Sequence, residues 1–302
     1  MPYFKIAVIA VFVLSTAYVH LRGRARLGFW RQLTDHSTFM APINCFLFLF
    51  SKAPARPYLP LEQFPELQLL QDHWREIRDE GERLYAQGSI KASDRYDDAG
   101  FNSFFKTGWK RFYLKWYDQA HPSAMALCPY TTQLLQRLPS VKAAMFAALP
   151  PGARLVRHRD PYAGSLRYHL GLVTPNSDDC YIDVDGQRYS WRDGEAVMFD
   201  ETYLHFAENK TQTNRIILFC DVERPLHTRA AGAVNRYVSR HLLGAATAPN
   251  QAGDRTGGLN RAFAYIQVVR LWGKRVKARS RFAYYGLQWL VFGGLLVLWL
   301  WS

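Results

Sequence analysis

Short β-forming runs follow one another closely between residues 154 and 225, and this spacing constrains the fold more than any other feature of the sequence. The runs are rich in branched and aromatic residues and are separated by turn-forming pairs such as Asp185 with Gly186. Closely spaced short strands with this turn chemistry predict a small sandwich or jelly roll. We therefore expect a mainly β chain with flanking helices, built on a double-stranded β-helix, or cupin-like jelly roll, at 141–225.

Three potential metal ligands lie within this stretch. His158 and Asp160 form an H-x-D pair, and His205 follows near the end of a later predicted strand. Residues two apart on a strand point to the same face, so His158 and Asp160 can both face the barrel interior. Two imidazoles and one carboxylate leave coordination positions open, which is the facial triad of non-haem Fe(II) oxygenases. An H-x-D pair alone is common by chance, and the prediction therefore rests on the conjunction with His205.

Arg215 begins the last apolar run of the stretch, RIILF. A guanidinium is always charged and presents a planar fork of donors. We expect Arg215 to bind the distal carboxylate of a 2-oxoglutarate co-substrate whose keto-acid end chelates the iron. In the run LRYHLGL, His169 alternates with Arg167, so both side chains can also face the interior.

Both ends of the chain are apolar. Residues 3–21 form a segment long enough to cross a hydrocarbon core of ~30 Å as a helix. A cleaved signal peptide is the alternative, but the segment lacks a basic leader and is followed directly by RGRAR. Residues 282–301 carry no charge and have aromatic residues at both edges. We expect one transmembrane anchor at 1–21 and a second at 282–302.

The basic residues predict the orientation. RGRAR follows the first apolar segment, and WGKRVKARSR precedes the second. By the positive-inside rule, both clusters place the intervening domain in the cytoplasm. The net charge of +13 then indicates anionic lipid headgroups as partners rather than nucleic acid. The four cysteines form no C-x-x-C pair and predict neither a zinc module nor a disulfide framework.

The first half of the chain contains several further elements. The apolar run APINCFLFLF is too short to cross a bilayer, so it is either core or an interfacial segment, and its position beside the anchor favours the second. A proline-rich connector follows and leads into the domain. Residues 68–87 predict an amphipathic helix ending at Gly88, residues 131–138 a short helix, and residues 141–149 a strand.

The aromatic-rich stretch 101–118 has two interpretations. It can form a buried strand pair, or it can be a platform for a large amphipathic substrate. The aromatic side chains favour the core. The basic side chains fit either interpretation, and Lys110 and Arg111, together with Lys106 and Lys115, are candidates for contact with anionic groups of a substrate.

Four segments, PGARLVRHRD, LRYHLGLV, DGEAVMFDETYLHFAEN and NRIILFCDVERP, closely resemble the aspartyl/asparaginyl beta-hydroxylase family of 2-oxoglutarate oxygenases over residues 150–225. The apolar ends, the TDHSTFMAPIN segment and the length are similar to those of bacterial inner-membrane members. Those members hydroxylate the 2-position of a secondary acyl chain of lipid A. The resemblance implies Fe(II), 2-oxoglutarate and O2 as cofactor and co-substrates, and lipid A or a lipopolysaccharide precursor as partner.

The resemblance also implies roles for individual residues. His158 and His205 would bind iron, Arg215 would bind the far carboxylate of 2-oxoglutarate, and His169 would help to bind the co-substrate. Arg167 matches a position that contacts a peptide carboxylate in protein-hydroxylating relatives, and here it would meet a lipid phosphate.

Two residues depart from the animal branch of the family. Asp160 stands where that branch has glycine, so this sequence keeps the full triad. Ala147 stands where animal relatives have a serine that helps to hold the co-substrate, so that hydrogen bond must come from elsewhere. No acid or base beyond the metal centre is expected to act in the reaction.

The expected product is a two-pass protein of the bacterial inner membrane. A protein aspartyl/asparaginyl hydroxylase is an alternative, against which the anchors and the missing peptide-recognition repeats argue. A non-catalytic, membrane-tethered cupin-like binder is another, and the oligomeric state is not predicted. The expected domains are the anchor 1–21, a juxtamembrane connector 22–65, the oxygenase domain 66–228, a basic and partly helical linker 229–281, and the anchor 282–302.

Overall fold

The computed structural model describes residues 2–93, 97–117 and 119–301. Two β-sheets face each other and enclose an apolar layer, and helices cover the outer face of the larger sheet. The strands are β1 Tyr58–Leu59, β2 Lys110–Trp116, β3 Gln119–Ala120, β4 Val141–Leu149, β5 Arg154–His158, β6 Ser165–Val173, β7 Cys180–Val184, β8 Gln187–Ser190, β9 Ala196–Phe199, β10 His205–Asn209 and β11 Arg215–Glu223. This arrangement confirms the predicted jelly-roll core.

The larger sheet has the order β1-β9-β6-β11-β4-β2-β3 and the smaller one the order β5-β10-β7-β8. The central strands β4, β6 and β11 are buried along almost their whole length. The sequences of these three strands are almost continuously apolar because helices cover one face of the larger sheet and the smaller sheet covers the other. The predicted strand at 141–149 is confirmed with those bounds.

Helices occupy both ends of the chain and the outer face of the larger sheet. They are α1 Pro2–Leu21, α2 Phe29–Leu33, α3 His36–Phe39, α4 Ala41–Leu49, α5 Gln68–Asp72, α6 Trp74–Ala86, α7 Asn102–Phe105, α8 Pro122–Leu127, α9 Pro129–Gln136, α10 Arg229–Val238, α11 Gly258–Arg279 and α12 Arg281–Trp301. The helix predicted at 68–87 is divided at His73 into α5 and α6. Helix α6 ends at Ala86, and Gly88, whose φ of +69° suits glycine, follows the C-cap residue Gln87.

Two expectations are corrected by the structure. Helices make up 47% of the structure, so the chain is mainly β in its core but not as a whole. The stretch 101–118 is not a strand pair from its start. Its first part forms the short helix α7, and the turn at Gly108, with φ of +93°, then leads into β2.

The chain after α1 is bound tightly to the smaller sheet. The Asp185 carboxylate accepts hydrogen bonds from the backbone N–H groups of Arg24 and Ala25 at 2.7 Å. The turn before Arg24 requires glycine at position 23. Gly23 has a φ of +87°, and a Cβ at this position would lie 2.6 Å from an Asp185 oxygen. The segment between α1 and α4 is therefore an ordered part of the domain surface.

Only one helix in the described part of the chain is long and apolar enough to cross a membrane. It is the Tyr3–Leu21 part of α1, with a mean hydropathy of 1.9 and 11% burial. A signal sequence would meet the same criteria of length and composition. Helix α12 lies where the second anchor is predicted, but a second crossing is not established, and the two-pass arrangement stays a prediction.

Candidate functional site

The three predicted ligands meet at one edge of the smaller sheet. His158 ends β5 and His205 begins β10, and the two residues are direct partners in the antiparallel register. Their ring centroids lie 4.2 Å apart. Asp160 Oδ1 lies 3.4 Å from His158 Nε2 and 3.9 Å from His205 Nε2. The structure thus brings His158, Asp160 and His205 together as one group able to hold a metal ion.

Both imidazoles are oriented by the backbone. His158 Nδ1 lies 2.7 Å from the Val156 carbonyl oxygen, and His205 Nδ1 lies 2.9 Å from the Tyr203 carbonyl oxygen. A carbonyl oxygen can only accept, so each Nδ1 carries the proton and each Nε2 keeps its lone pair for a metal. Burial, with His158 beside it, lowers the pKa of His205 to about 3, which keeps that imidazole neutral. This donor set fits Fe(II).

The second oxygen of Asp160 is held by Arg167. Arg167 Nη2 lies 2.6 Å from Asp160 Oδ2, and the same guanidinium contacts Glu201 and lies 2.9 Å from Asp221 Oδ1. Burial opposes ionisation of Asp160, but the Arg167 guanidinium holds the pKa of this carboxyl well below its usual range. Burial raises the pKa of Glu201 well above its usual range. Three carboxyl groups therefore surround Arg167, which orients Asp160.

Replacing Arg167 with methionine should both destabilise the protein and weaken iron binding. Removing one partner from a buried ionic group costs about 3–5 kcal/mol because the other charges stay buried. The loss of a group that orients a metal ligand costs about 10–100-fold in metal affinity. Urea unfolding and iron titration measure the two effects, with Arg188→Met, at an exposed arginine, as the control. Wild-type stability and iron affinity in the Arg167 variant would show that Asp160 needs no such support.

Arg215 is a buried cation that has no carboxylate partner among the described residues. It is 1% exposed, and its Nε and Nη2 atoms have no hydrogen-bond partner in the part of the chain that the structure describes. Its guanidinium lies 4.3 Å from the Trp191 ring centroid. Burial lowers the pKa of Arg215 to about 10. A buried guanidinium is costly unless it is compensated, so the site fits an anion such as the distal carboxylate of 2-oxoglutarate.

Two further side chains around Arg215 have unused hydrogen-bonding capacity. His169 is 5% exposed, and within residues 2–93, 97–117 and 119–301 neither of its ring nitrogens has a partner. Burial, then Arg167 and Arg215, hold the pKa of His169 well below its usual range, so the ring is neutral. The indole N–H of Trp191 is likewise without an acceptor among these residues. Ala147 lies buried in the same apolar layer and offers no hydrogen bond.

One small cavity, of about 30 Å³, joins the metal ligands to Arg215 and His169. Phe101 and Phe104 line its entrance, and the Phe104 ring centroid lies 4.6 Å from that of His158. The Phe101 and Phe104 rings are half-exposed, whereas Arg215, His169 and Trp191 are buried, so the cavity opens on the side of these two rings. The aromatic content of 101–118 signalled Phe101 and Phe104, but nothing in the sequence around Trp191 signalled its place beside Arg215.

The other candidate substrate-binding residues lie elsewhere. Arg111 is 2% exposed and pairs with Asp98 at 2.9 Å, so its charge is already compensated inside the fold. Lys110 lies 6.0 Å from the ring centroid of Tyr85 on α6, which places it on the helical face of the larger sheet. The structure brings neither side chain to the cavity. Arg167 does line it, but the three carboxyl groups occupy its guanidinium, contrary to the expected contact with a lipid phosphate.

Comparison with known proteins identifies relatives for this region. The family model described as aspartyl/asparaginyl beta-hydroxylase matches residues 71–225, just over half of the 302 residues. The ornithine lipid ester-linked acyl 2-hydroxylase of Rhizobium tropici is 40% identical over 125 residues, which are 41% of this chain and 44% of that protein. The human aspartyl/asparaginyl beta-hydroxylase is 27% identical over 161 residues, which are 52% of this chain and 21% of that protein.

The chain thus spans about half or less of the length of these curated relatives. Among solved structures, the match to a Pseudomonas putida prolyl-4-hydroxylase covers 62% of this chain and 100% of the prolyl-4-hydroxylase chain. Its TM-score is 0.36 and its sequence identity 20%. A likeness at that TM-score supports no functional statement.

Proposed function

The chain belongs to the aspartyl/asparaginyl beta-hydroxylase family, and from this premise we propose that it is an Fe(II)/2-oxoglutarate-dependent dioxygenase that hydroxylates an acyl chain of a membrane lipid. The observation that carries the proposal is the conjunction of the His158, Asp160 and His205 group with the uncompensated Arg215 in one cavity. A non-catalytic binder would have no need for a buried cation beside three metal ligands.

The residues that line the cavity have separate roles in binding the co-substrate and in positioning the substrate. The iron, when bound with 2-oxoglutarate and O2, supplies an oxidation in which succinate and CO2 form and one oxygen atom enters a C–H bond. Arg215 binds the distal carboxylate of the co-substrate, and the indole N–H of Trp191 donates the hydrogen bond that Ala147 cannot. Neutral His169 contributes one further donor. The Phe101 and Phe104 rings exclude water and orient an apolar substrate towards the metal ligands.

The substrate class follows from the mouth of the cavity and from the relatives. An aromatic entrance suits an acyl chain better than a peptide carboxylate, and Arg167, the expected peptide contact, is occupied by carboxyl groups. The Rhizobium tropici relative is named for 2-hydroxylation of a lipid acyl chain. We propose the 2-position of an acyl chain as the target, with a secondary acyl chain of lipid A as the specific substrate.

The segment after the apolar helix supports a site at the membrane surface. Arg22 pairs with Asp200 at 2.7 Å, in the loop before His205. His36 Nε2 lies 2.7 Å from the Arg159 carbonyl oxygen, between the ligands His158 and Asp160. Both loops that carry iron ligands are thus bound to the chain that follows α1. If α1 crosses the membrane, the cavity lies beside the bilayer.

The surface of α2 to α4 has the composition of an interfacial patch. Large apolar side chains are exposed on it although the helices are ordered, and this patch consists of Phe29, Trp30, Leu33, Phe39 and Leu49. Aromatic side chains at a surface beside a membrane helix are typical of insertion at the headgroup level. We propose that this patch lies on the cytoplasmic face of the inner membrane, with the domain in the cytoplasm and α12 as a second anchor.

Replacing Trp30 and Phe39 with serine should lower turnover of a bilayer-embedded lipid by at least about tenfold. Each buried aromatic side chain contributes about 1.5–3 kcal/mol, and losing part of that from two of them weakens docking. Turnover of 2-oxoglutarate without lipid should not change, because the cavity is intact. Met125→Ser, at an exposed apolar residue on α8, is the control. Equal lipid turnover by the double variant and wild type would contradict interfacial docking.

The direct test of the function is mass spectrometry of lipids from aerated cells with and without the protein. We expect an acyl chain of lipid A to gain the mass of one oxygen atom, at the 2-position on fragmentation. The same gain on an ornithine lipid would support the reaction and correct the substrate. Oxygen-dependent succinate formation by the purified protein, with no modified lipid, would instead favour a protein substrate.

A further inference from the structure

A second and larger cavity, of about 840 Å³, lies beside the first. It forms where residues 116–117 and 119–122 face the segment 240–261. Trp116 lines it, and the Trp116 ring centroid lies 6.2 Å from that of Phe101, which lines the iron cavity. Tyr117 also lines it and donates a hydrogen bond of 3.1 Å to Asp221, a partner of Arg167. One layer of aromatic side chains therefore separates the two cavities.

The lining of this second cavity is cationic. Arg255 and Arg261 contribute to it, and no carboxylate of the described residues lines it. Arg255 contacts the Gln119 side chain. Asp254, which precedes Arg255 in the chain, turns its carboxylate to Ser123 and to the backbone of Asn250. The electrostatic field in the cavity is suited to an anion.

The first turn of α11 opens into the same cavity. Gly257 and Gly258 line it, and α11 has 22 residues, no side-chain cap and no acidic residue in its first turn. The leading N–H groups of a helix lack intrahelical acceptors and carry partial positive charge. An arginine, Arg261, lies one turn into this helix, where a cation is unfavourable unless an anion compensates it.

A buried histidine gives an independent indication of a ligand. His121 lines the cavity and is 2% exposed, and neither ring nitrogen has a hydrogen-bond partner in the described ranges of the chain. Its nearest carboxylate oxygen, on Asp254, lies 3.9 Å away. Buried polar atoms without partners cost about 1–3 kcal/mol each. A ligand with both accepting and donating oxygen atoms would satisfy them.

We propose that this second cavity binds the phosphate-bearing headgroup of the lipid whose acyl chain enters the iron cavity. Arginine forks and helix N–H groups match the oxygens of a phosphate monoester. A cavity of about 840 Å³ exceeds a free phosphate and has room for a sugar that carries one. The thin aromatic layer between the cavities suits hydroxylation close to the headgroup end of the acyl chain. The proposal rests on the proposed lipid hydroxylase function.

Two measurements on the full-length, iron-loaded protein in detergent test the site. The first is calorimetric titration with inorganic phosphate, which requires no turnover. We expect binding to wild type and to Arg188→Gln, and at least tenfold weaker binding to the double variant Arg255→Gln with Arg261→Gln. The second is the KM for lipid A before and after phosphatase treatment. We expect the double variant to raise the KM for the phosphorylated lipid at least tenfold, with unchanged 2-oxoglutarate turnover in the absence of lipid.

The outcomes separate this proposal from the proposed function. Equal phosphate binding by the double variant and wild type would overturn the site. Phosphate binding that depends on the two arginines, together with an equal KM for lipid with and without phosphate, would assign the cavity to a free phosphate and overturn the headgroup assignment. If wild type binds phosphate through these arginines but never forms succinate, the hydroxylase function fails, and the headgroup assignment that rests on it fails too.

Discussion

Replacing His205 with alanine should abolish oxygen-dependent conversion of 2-oxoglutarate to succinate and remove stoichiometric iron from the purified protein. His205 supplies one of three ligands, and its Nε2 is held ready by the hydrogen bond between Nδ1 and the Tyr203 carbonyl. Loss of a group that merely orients a ligand costs about 10–100-fold. Loss of the ligand itself should therefore cost more than about 100-fold. Succinate formation and bound iron, measured on the same preparation, check this expectation.

His227→Ala is the matched control, because His227 is exposed and, within the part of the chain that the structure describes, its hydrogen bond is made by the backbone N–H, which donates to the Phe50 carbonyl. It should retain wild-type iron and turnover. A His205→Ala protein that keeps its iron and forms succinate at the wild-type rate would show that the iron lies elsewhere. Near-ultraviolet circular dichroism distinguishes loss of a ligand from loss of the fold.

Replacing Arg215 with methionine should have opposite effects on stability and on function. Without co-substrate, the variant should be as stable as wild type or more stable by about 1–4 kcal/mol, because an apolar side chain replaces a buried guanidinium that has no counter-charge within the described ranges of the chain. The KM for 2-oxoglutarate should rise at least about 100-fold, since a charge-assisted bidentate contact is lost. Urea unfolding and succinate formation measure the two effects.

A ligand test strengthens this prediction. At a concentration of 2-oxoglutarate about 100 times the dissociation constant, wild type should gain about 2.7 kcal/mol of stability, and the Arg215 variant should gain almost none. Arg192→Met is the control, since Arg192 follows the cavity residue Trp191 in the chain but pairs with Asp178 outside the cavity. Equal stabilisation of the Arg215→Met variant and wild type would mean that another residue binds the distal carboxylate.

The sequence predicted the features that depend on local periodicity. The continuous apolar run at 141–149 and the position of Arg215 at the head of the last strand need no knowledge of distant contacts, whereas Asp160, expected on the same strand as His158, lies just beyond the end of β5. His158 and Asp160 come to lie together with His205 because β5 and β10 are neighbours, which the jelly-roll topology dictates. The metal group was therefore readable from the sequence.

Features that depend on contacts between residues far apart in the sequence could not be predicted from the sequence. Arg111 and Arg167 looked like free cations, but Asp98 compensates the first, and Asp160, Glu201 and Asp221 surround the second. Residues 101–105 have the composition of a strand. They form α7 instead because the Phe101 and Phe104 rings pack over Trp109 and the metal ligands, a tertiary contact that outweighs local preference.

The salt bridge between Arg22 and Asp200 has a practical consequence for anyone who shortens the protein to make it soluble in water. Arg22 also lies against the Phe48 and Tyr203 rings, and the Val19 carbonyl accepts a hydrogen bond from Arg159. A truncation that starts after Arg22 would strip a counter-charge from Asp200 and uncover two rings beside the loop that ends at His205. The shortest safe version therefore begins before Val19, and it keeps the last turn of the apolar helix as part of the catalytic domain.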